Sequence, residues 1–415
     1  MNNWQTVSDF VIFSTKGITP NYVESSSILV LNQKCIRNGT INYSFAQFTD
    51  DTKQIQQSKF VQKGDILVNS TGTGTAGRCA FVSDLPENHK LTVDSHILIL
   101  RCNSFFEAQC LSYSLFSFEK TLMSFMTGSS GQSELDKVVL MNLKTKIPKD
   151  EETQQKIASV LSALDSKIEL NNRINAEFEA MAKTMYDYWF VQFDFPDKNG
   201  KPYKTSGGKM FWNEELKREI PEGWEVNKIE HILRTSLGGT PSTTVKEYWD
   251  LGKICWLNSG EIANFPIIDS ELKITDAAIK NSATNLLPKG SVMLSITRHL
   301  RPSILGVDAC ANQSVVGIYE KGDIKSYFLY PYLKNEIPRL MAMRSGAQQP
   351  HINKEVVDES LILTPPLKSG ILKQYNNHVG CYYDLIINNA FQNQKLTELR
   401  DWLLPMLLNG QIMVN

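Results

Sequence analysis

The chain has 415 residues, too many for one ordinary domain and suited to two or three, and its hydrophobic content of 42% is enough for sizeable cores. Its 43 basic and 44 acidic residues leave a net charge of −1, which excludes a protein that coats nucleic acid by bulk charge but not a reader that uses local basic patches and shares phosphate contacts with a partner. Seven scattered cysteines without metal-ligand spacing read as buried free thiols, and the lack of a leader-like N-terminus or a membrane-length apolar run leads us to expect a cytoplasmic protein.

Residues 1–150 are predicted to form a first globular domain. Short apolar runs at 27–31, 66–68 and 96–100, separated by Gly, Asn, Asp and Pro, read as strands, and the spacing over 107–126 reads as a helix. The run at Ile66–Val68 enters a Gly/Thr loop, Ser70 to Arg78, and the 107–126 helix precedes a second loop, Gly128 to Ser133. Residues 151–192 then read as one long helix. Ile157, Leu161, Leu164, Ile168 and Asn171, then Ile174, Phe178, Met181, Met185 and Tyr188, mark a three-four alternation uninterrupted by Pro or Gly. At about 1.5 Å per residue it would be on the order of 60 Å long and needs a second long helix beside it.

Residues 193–223 are a Pro/Gly-rich connector whose aromatics suggest that it packs on a surface. Residues 224–366 then repeat the first domain, and 367–415 repeat the helix. Trp4 and Trp224 open the two copies. Gly17-Ile18-Thr19-Pro20 returns as Gly239-Thr240-Pro241-Ser242, and the strand entering the Gly/Thr loop returns as Gly290 to Leu294 entering Thr297 to Pro302. Gly128 to Lys137 aligns with Ser345 to Lys354, which follow a helix predicted over 324–344 in the second copy. Tyr375, Val379, Tyr382, Ile386, Asn389, Leu396, Leu399, Leu403 and Met406 fall where the first helix has Ile157, Leu161, Leu164, Ile168, Asn171, Phe178, Met181, Met185 and Tyr188. A period of half the chain is a duplication of a whole domain-plus-helix unit. The expected fold class is α+β, two tandem β-rich domains with two long coiled-coil-like helices.

The Gly/Thr loop lacks the lysine of a P-loop and the spacing of a dinucleotide fingerprint, so a turn between strands is the plainer reading. What it shares with 297–302 is position, polar side chains and a basic residue, which suits contact loops on a common frame. Candidate DNA contacts are Asn69, Ser70, Thr71, Thr73 and Arg78 in the first copy and Thr297, Arg298, His299 and Arg301 in the second. Gln132, Gln348, Gln349 and His351 from the Gly/Gln loops complete the set, since their side chains both donate and accept. No catalytic residues or metal ligands are assigned: the six histidines occur singly, no GxSxG elbow is present, and Thr364-Pro365-Pro366-Leu367 departs from the amino-methyltransferase pattern. Asn171 and Asn389 are either solvent-facing or a buried polar pair fixing helix register.

On the tandem plan, the Ile157 to Asn171 stretch after Ile147-Pro148, the Gly238-Gly239-Thr240-Pro241-Ser242 run, and the connector spans Gly200 to Lys204, Ser206 to Met210 and Glu219 to Trp224, the chain resembles the specificity (S) subunits of type I restriction-modification systems. The resemblance implies two target recognition domains, each reading half of a bipartite asymmetric sequence in double-stranded DNA, separated by two antiparallel helices related by pseudo-two-fold duplication. It also implies docking of two methyltransferase (M) subunits and, through the complex, restriction (R) subunits. No cofactor is expected on this chain; S-adenosylmethionine, ATP and Mg are implied for the partners. Gly17-Ile18 where a second glycine is usual, Ser133-Glu134-Leu135 against Pro350-His351-Ile352, and Lys368-Ser369-Gly370 before the second helix depart from the family's pattern. Two other classes compete with this reading, a self-contained DNA methyltransferase or nuclease and a pure assembly scaffold.

Overall fold

A computed structural model describes residues 4–52, 54–72, 74–125, 134–346 and 350–414. It divides into two compact units, residues 1–168 with 395–415 and residues 169–394. Each long helix therefore contributes one part to each unit.

In the first unit an antiparallel sheet runs Val11–Lys16, Ile97–Cys102, Ile66–Asn69, Cys79–Phe81. Its central strands are buried on both faces, so their alternation splits one apolar run between two cores. Ile66, Val68, Leu98 and Leu100 face Ala108, Leu111 and Leu115 of the Phe105–Ser117 helix. Leu67, Ile97 and Ile99 pack with Leu31, Ile36 and Val93 under a second sheet. That sheet runs Lys90–Val93, Ile28–Leu31, Gln47–Thr49, Tyr22–Val23, and its first pair is parallel. Ser104 starts the helix by accepting from the Glu107 amide at 3.2 Å.

The second unit repeats this plan: Thr235–Leu237, Val315–Ile318, Val292–Ser295, Arg301–Ile304 in one sheet and Leu272–Ile274, Ile254–Leu257, Ala309–Ala311 in another, the last pair again parallel. The Ser326–Ala342 helix takes the place of Phe105–Ser117. Gly17 and Gly238 show why the glycine recurs. A Cβ at Gly17 would lie 2.1 Å from the Val93 carbonyl oxygen, and one at Gly238 would lie 2.1 Å from that of Asn312. At the next position the copies differ. Gly239 sits against the Ala283 backbone, where a Cβ would come within 2.7 Å, and the first copy has Ile18 there.

The long helices span Glu151–Tyr186, continued by a π turn at Asp187–Val191, and Ile371–Leu408. Asp150 caps the first by accepting from the Thr153 amide at 2.8 Å. Gly370, at φ 75°, turns the chain into the second, which accounts for its unusual start. In the first unit Ile157 and Leu161 are buried with Leu404, Leu407 and Leu408, while Leu164, Ile168 and Leu396 are half-buried. In the second unit Phe178 stacks on Tyr382 at 5.5 Å, and Tyr375, Val379 and Ile386 are buried.

Beyond Asn171 the seam departs from the sequence reading. It continues through Asn175, Phe178, Ala182 and Trp189, a strict seven-residue repeat of the earlier positions, whereas Met181 and Tyr188 are 48% and 38% exposed. The second helix deviates at the equivalent place: Leu399 is 43% exposed, and Arg400 and Leu407 are buried. Arg400 is tolerated there because its guanidinium donates to Asp165 at 2.8 Å and lies over the Phe116 ring at 4.7 Å.

Asn171 is buried, but its partner is not Asn389. Its Nδ2 donates to Gln392 Oε1 at 2.7 Å and to Asn393 Oδ1 at 2.8 Å, and Asn389 Nδ2 donates to Asn175 Oδ1 at 2.8 Å. Asn171 and Asn389 are repeat equivalents, as are Asn175 and Asn393, so the two contacts are one interaction written twice. An antiparallel pair meets its own duplicate offset by one turn.

The connector is ordered. Phe193 and Phe195 are buried against Trp224, at 5.4 and 5.2 Å between rings, and Asp194 accepts from the Thr205 amide and hydroxyl at 2.7 and 2.6 Å. A hairpin, Met210–Asn213 with Arg218–Pro221, follows. Six of the seven free thiols are buried, and Cys381 is exposed.

Candidate nucleic-acid interface

The loops singled out in sequence lie beside each other in each copy. In the second unit, Thr297 bridges His351, the Arg298 amide donates to the Pro350 carbonyl at 2.9 Å, and the Ile352 amide donates to the Ile296 carbonyl at 3.0 Å. In the first unit, Thr71 bridges Glu134, and the Leu135 amide donates to the Ser70 carbonyl at 2.7 Å. These contacts superimpose the repeat residue by residue: Ser70 on Ile296, Thr71 on Thr297, Glu134 on His351, Leu135 on Ile352. Arg78 and Arg301 are equivalent too, each paired across its hairpin with the last residue of the preceding strand, Asn69 and Ser295.

The second-unit loop pair is basic. Arg298, His299, Arg301 and His351 are exposed, and neither Arg298 nor Arg301 has a carboxylate partner among the described residues. Arg298 holds φ at 55°, a conformation unfavourable for a side-chain-bearing residue, and the Arg344 guanidinium braces it by donating to its carbonyl at 3.0 Å. Arg344 escaped sequence reasoning because it lies just past the Ser326–Ala342 helix and reads as a C-terminal cation. The arrangement offers guanidinium and imidazole groups that can grip phosphate oxygens or donate to guanine O6 and N7.

The first-unit loop pair is built differently. Arg78 is partly buried and paired with Glu119 at 3.7 Å. Burial raises the Glu119 carboxyl above its usual value and Arg78 opposes the shift, so both charges are largely compensated locally. Lys16 pairs with Glu134 at 2.5 Å. Asn69 and Ser70, expected as DNA contacts, are fully buried. Asn69 Nδ2 donates to the Gln33 and Thr75 carbonyls at 3.1 and 3.2 Å, and the Ser70 hydroxyl donates to the His96 carbonyl at 2.9 Å. They brace the loop and present nothing to a ligand, because the chain is covered on both sides there. Thr71 is half-exposed. Thr73, Gln132, Gln348 and Gln349 lie outside the described residues.

A family model described as the type I restriction modification DNA specificity domain matches residues 12–180 and 221–378. The chain belongs to this family. The two matched segments of the specificity chain each take one globular copy and part of the helix that follows it. The MjaIX specificity subunit of Methanocaldococcus jannaschii is 29% identical to it over 304 residues, 71% of this chain and 67% of that protein. The HindI specificity subunit of Haemophilus influenzae is 24% identical over 416 residues, 86% of this chain and 88% of that protein. Among solved structures, the S subunit of a type I restriction-modification system from M. genitalium shares the fold at a TM-score of 0.54, with 14% identity over 98% of this chain and 96% of that one. Among the described residues of the specificity chain, no helix is long and apolar enough to cross a membrane, and no cluster of His, Cys, Asp and Glu could hold a metal.

Proposed function

We propose that this chain is the non-catalytic sequence reader of a type I restriction-modification complex, in which each globular copy reads one half of a bipartite target in double-stranded DNA. The observation that carries this is the recurrence of one loop pair on one frame with unlike side chains. Thr71 with Glu134 and Thr297 with His351 occupy equivalent positions, yet one loop pair is locally neutralised and the other is basic. Two readers that share a frame and differ in contact chemistry suit an asymmetric target. In this reading the helices dock two methyltransferase subunits and, through them, restriction subunits. S-adenosylmethionine, ATP and Mg belong to those partners, which surround the DNA and supply much of the phosphate attraction that a chain of net charge −1 lacks.

Methylome sequencing of the host with and without this gene tests the reading. A bipartite methylated motif should vanish on deletion; if no motif disappears while the methyltransferase is expressed, the function is wrong. Replacing Arg298 or Arg301 by Ala in the assembled complex should weaken DNA binding, and unchanged affinity would remove that loop from the interface. A self-contained enzyme would methylate or cut DNA as the purified chain alone, and a pure scaffold would leave the complex's gel shift indifferent to the motif.

A further inference from the structure

Three side chains far apart in sequence form a hydrogen-bonded chain on the first-unit loop. Gln33 Nε2 lies 2.5 Å from the Thr71 carbonyl oxygen and 2.6 Å from Thr71 Oγ1, and Thr71 Oγ1 lies 2.8 Å from His96 Nδ1. The proton inventory fixes the Gln33 amide. A carbonyl oxygen only accepts, so the amide atom facing it must be nitrogen, and that nitrogen gives one hydrogen to each Thr71 oxygen. Thr71 Oγ1, already accepting from Gln33, has its own hydrogen left for His96. In the tautomer whose Nδ1 accepts this hydrogen, the ring hydrogen of His96 lies on Nε2. Two groups remain without a partner among the described residues, the Gln33 Oε1 acceptor and the His96 Nε2–H donor. His96 is exposed and Gln33 partly so.

The repeat shows that the frame does not need this chain. Asn32 and Asn258 are equivalent, each accepting from the amide two residues on at 2.9 and 2.8 Å, so Gln33 corresponds to Ser259. The carbonyls of His96 and Ser314 accept the equivalent amides, of Ser70 and Ile296, at 2.8 and 3.0 Å. The second copy keeps the threonine, as Thr297, closes the same loop pair through main-chain bonds, and has serines in both other places. A contact required for folding would recur along with the main-chain bonds; this one is specific to the first copy.

We propose that Gln33 and His96, oriented through Thr71, are base-reading residues of the first target recognition domain, with His96 in its Nε2–H tautomer, presenting an acceptor and a donor to an adenine edge in the major groove. Adenine alone offers both an acceptor, N7, and a donor, N6–H, on one base there: guanine offers two acceptors, cytosine a donor, and thymine an acceptor beside a methyl. His96 Nε2–H serves N7 and Gln33 Oε1 serves N6–H. The proposal rests on the proposed DNA-reading function.

The test uses the full chain assembled with its methyltransferase partners. The wild-type methylome first defines the motif, and absence of any bipartite motif overturns the reading function and this assignment with it. Given a motif, Gln33→Ala, His96→Ala and Thr71→Val should each relax the same A·T position of one half-site, reducing discrimination in duplex binding there by about tenfold to a hundredfold. The other positions and the other half-site should be unchanged. If Gln33→Ala fails to accumulate, the near-isosteric Thr71→Val decides. An unchanged motif, relaxation at a G·C position, or uniform weakening on all duplexes with discrimination intact overturns the assignment, the last because it is what a purely structural latch would give.

Discussion

Asp94 and Asn312 stand at one place in the two copies, each accepting from the amide two residues on, His96 at 2.9 Å and Ser314 at 3.0 Å. The acceptor is needed and the charge is not. Burial lifts the Asp94 carboxyl above its ordinary value against the opposing pull of the His96 amide and ring. A raised carboxylate pKa in the folded state means that the ionised form is disfavoured there. Asp94→Asn, which copies the other domain's solution, should therefore stabilise the protein. Below the ordinary value of 3.8 both states are protonated and the substitution gains nothing; the gain grows up to the raised value and is complete at neutral pH. A higher Tm is expected at pH 7, and thermal melts at pH 4 and pH 7 should show the difference shrinking in acid. At this scale the sequence was least legible. The loop positions could be guessed from glycines and threonines, but Gln33 and His96 lie 38 and 25 positions from Thr71 and enter the site only through sheet topology. Asn69 and Ser70 failed as contacts because the facing of a strand's last residues depends on what covers the sheet, which composition does not state.

Among the elements, the long helices announced themselves because amphipathic periodicity is a local property. The phase of the seam was harder. After Asn171, Ile174 attracts attention as the next apolar residue, but the contact falls on Asn175, since the seam keeps its seven-residue repeat and accepts polar residues to do so. The amides confine the pairing. Slipping one helix by a turn would leave the buried Asn171 Nδ2 and the half-buried Asn393 oxygen without these partners. Asn171→Leu alone should cost about 1–3 kcal/mol, because it strands the half-buried Asn393 acceptor. Adding Asn393→Leu should recover part of the loss, because a leucine pair needs no hydrogen bond. Denaturant midpoints of the two variants check this, and equal midpoints would mean that the amides carry no register information.

For the whole molecule, the duplication was readable because its landmarks keep their order. The division into compact bodies was not, and the reason is physical. An amphipathic stripe carries no mark where the helix passes from one packing environment to another, so boundaries drawn at helix ends differ from units that each take part of both helices. If the helices set the spacing of two readers, lengthening both should lengthen the unread gap. Seven residues inserted after Asn171 and after Asn389 preserve the seam and add about 10 Å, or about three base pairs. Methylome sequencing should show the two half-sites intact and farther apart; retention of the original gap would mean that something other than the helices measures it.

The bonds closing each loop pair, Leu135 to Ser70 and Ile352 to Ile296, run between main-chain atoms. Main-chain bonds are indifferent to the side chains between them, so the side chains of a loop can change without altering how it is held. Affinity for a new sequence and stability of the old frame are decoupled variables. A lineage under pressure to alter its target can accumulate substitutions in one loop pair while the other, and the helices, stay as they were. Duplication doubles that freedom, since each copy drifts alone. The two loop pairs of this one chain, serines in one where the other has glutamine and histidine, differ in the way that such a frame allows.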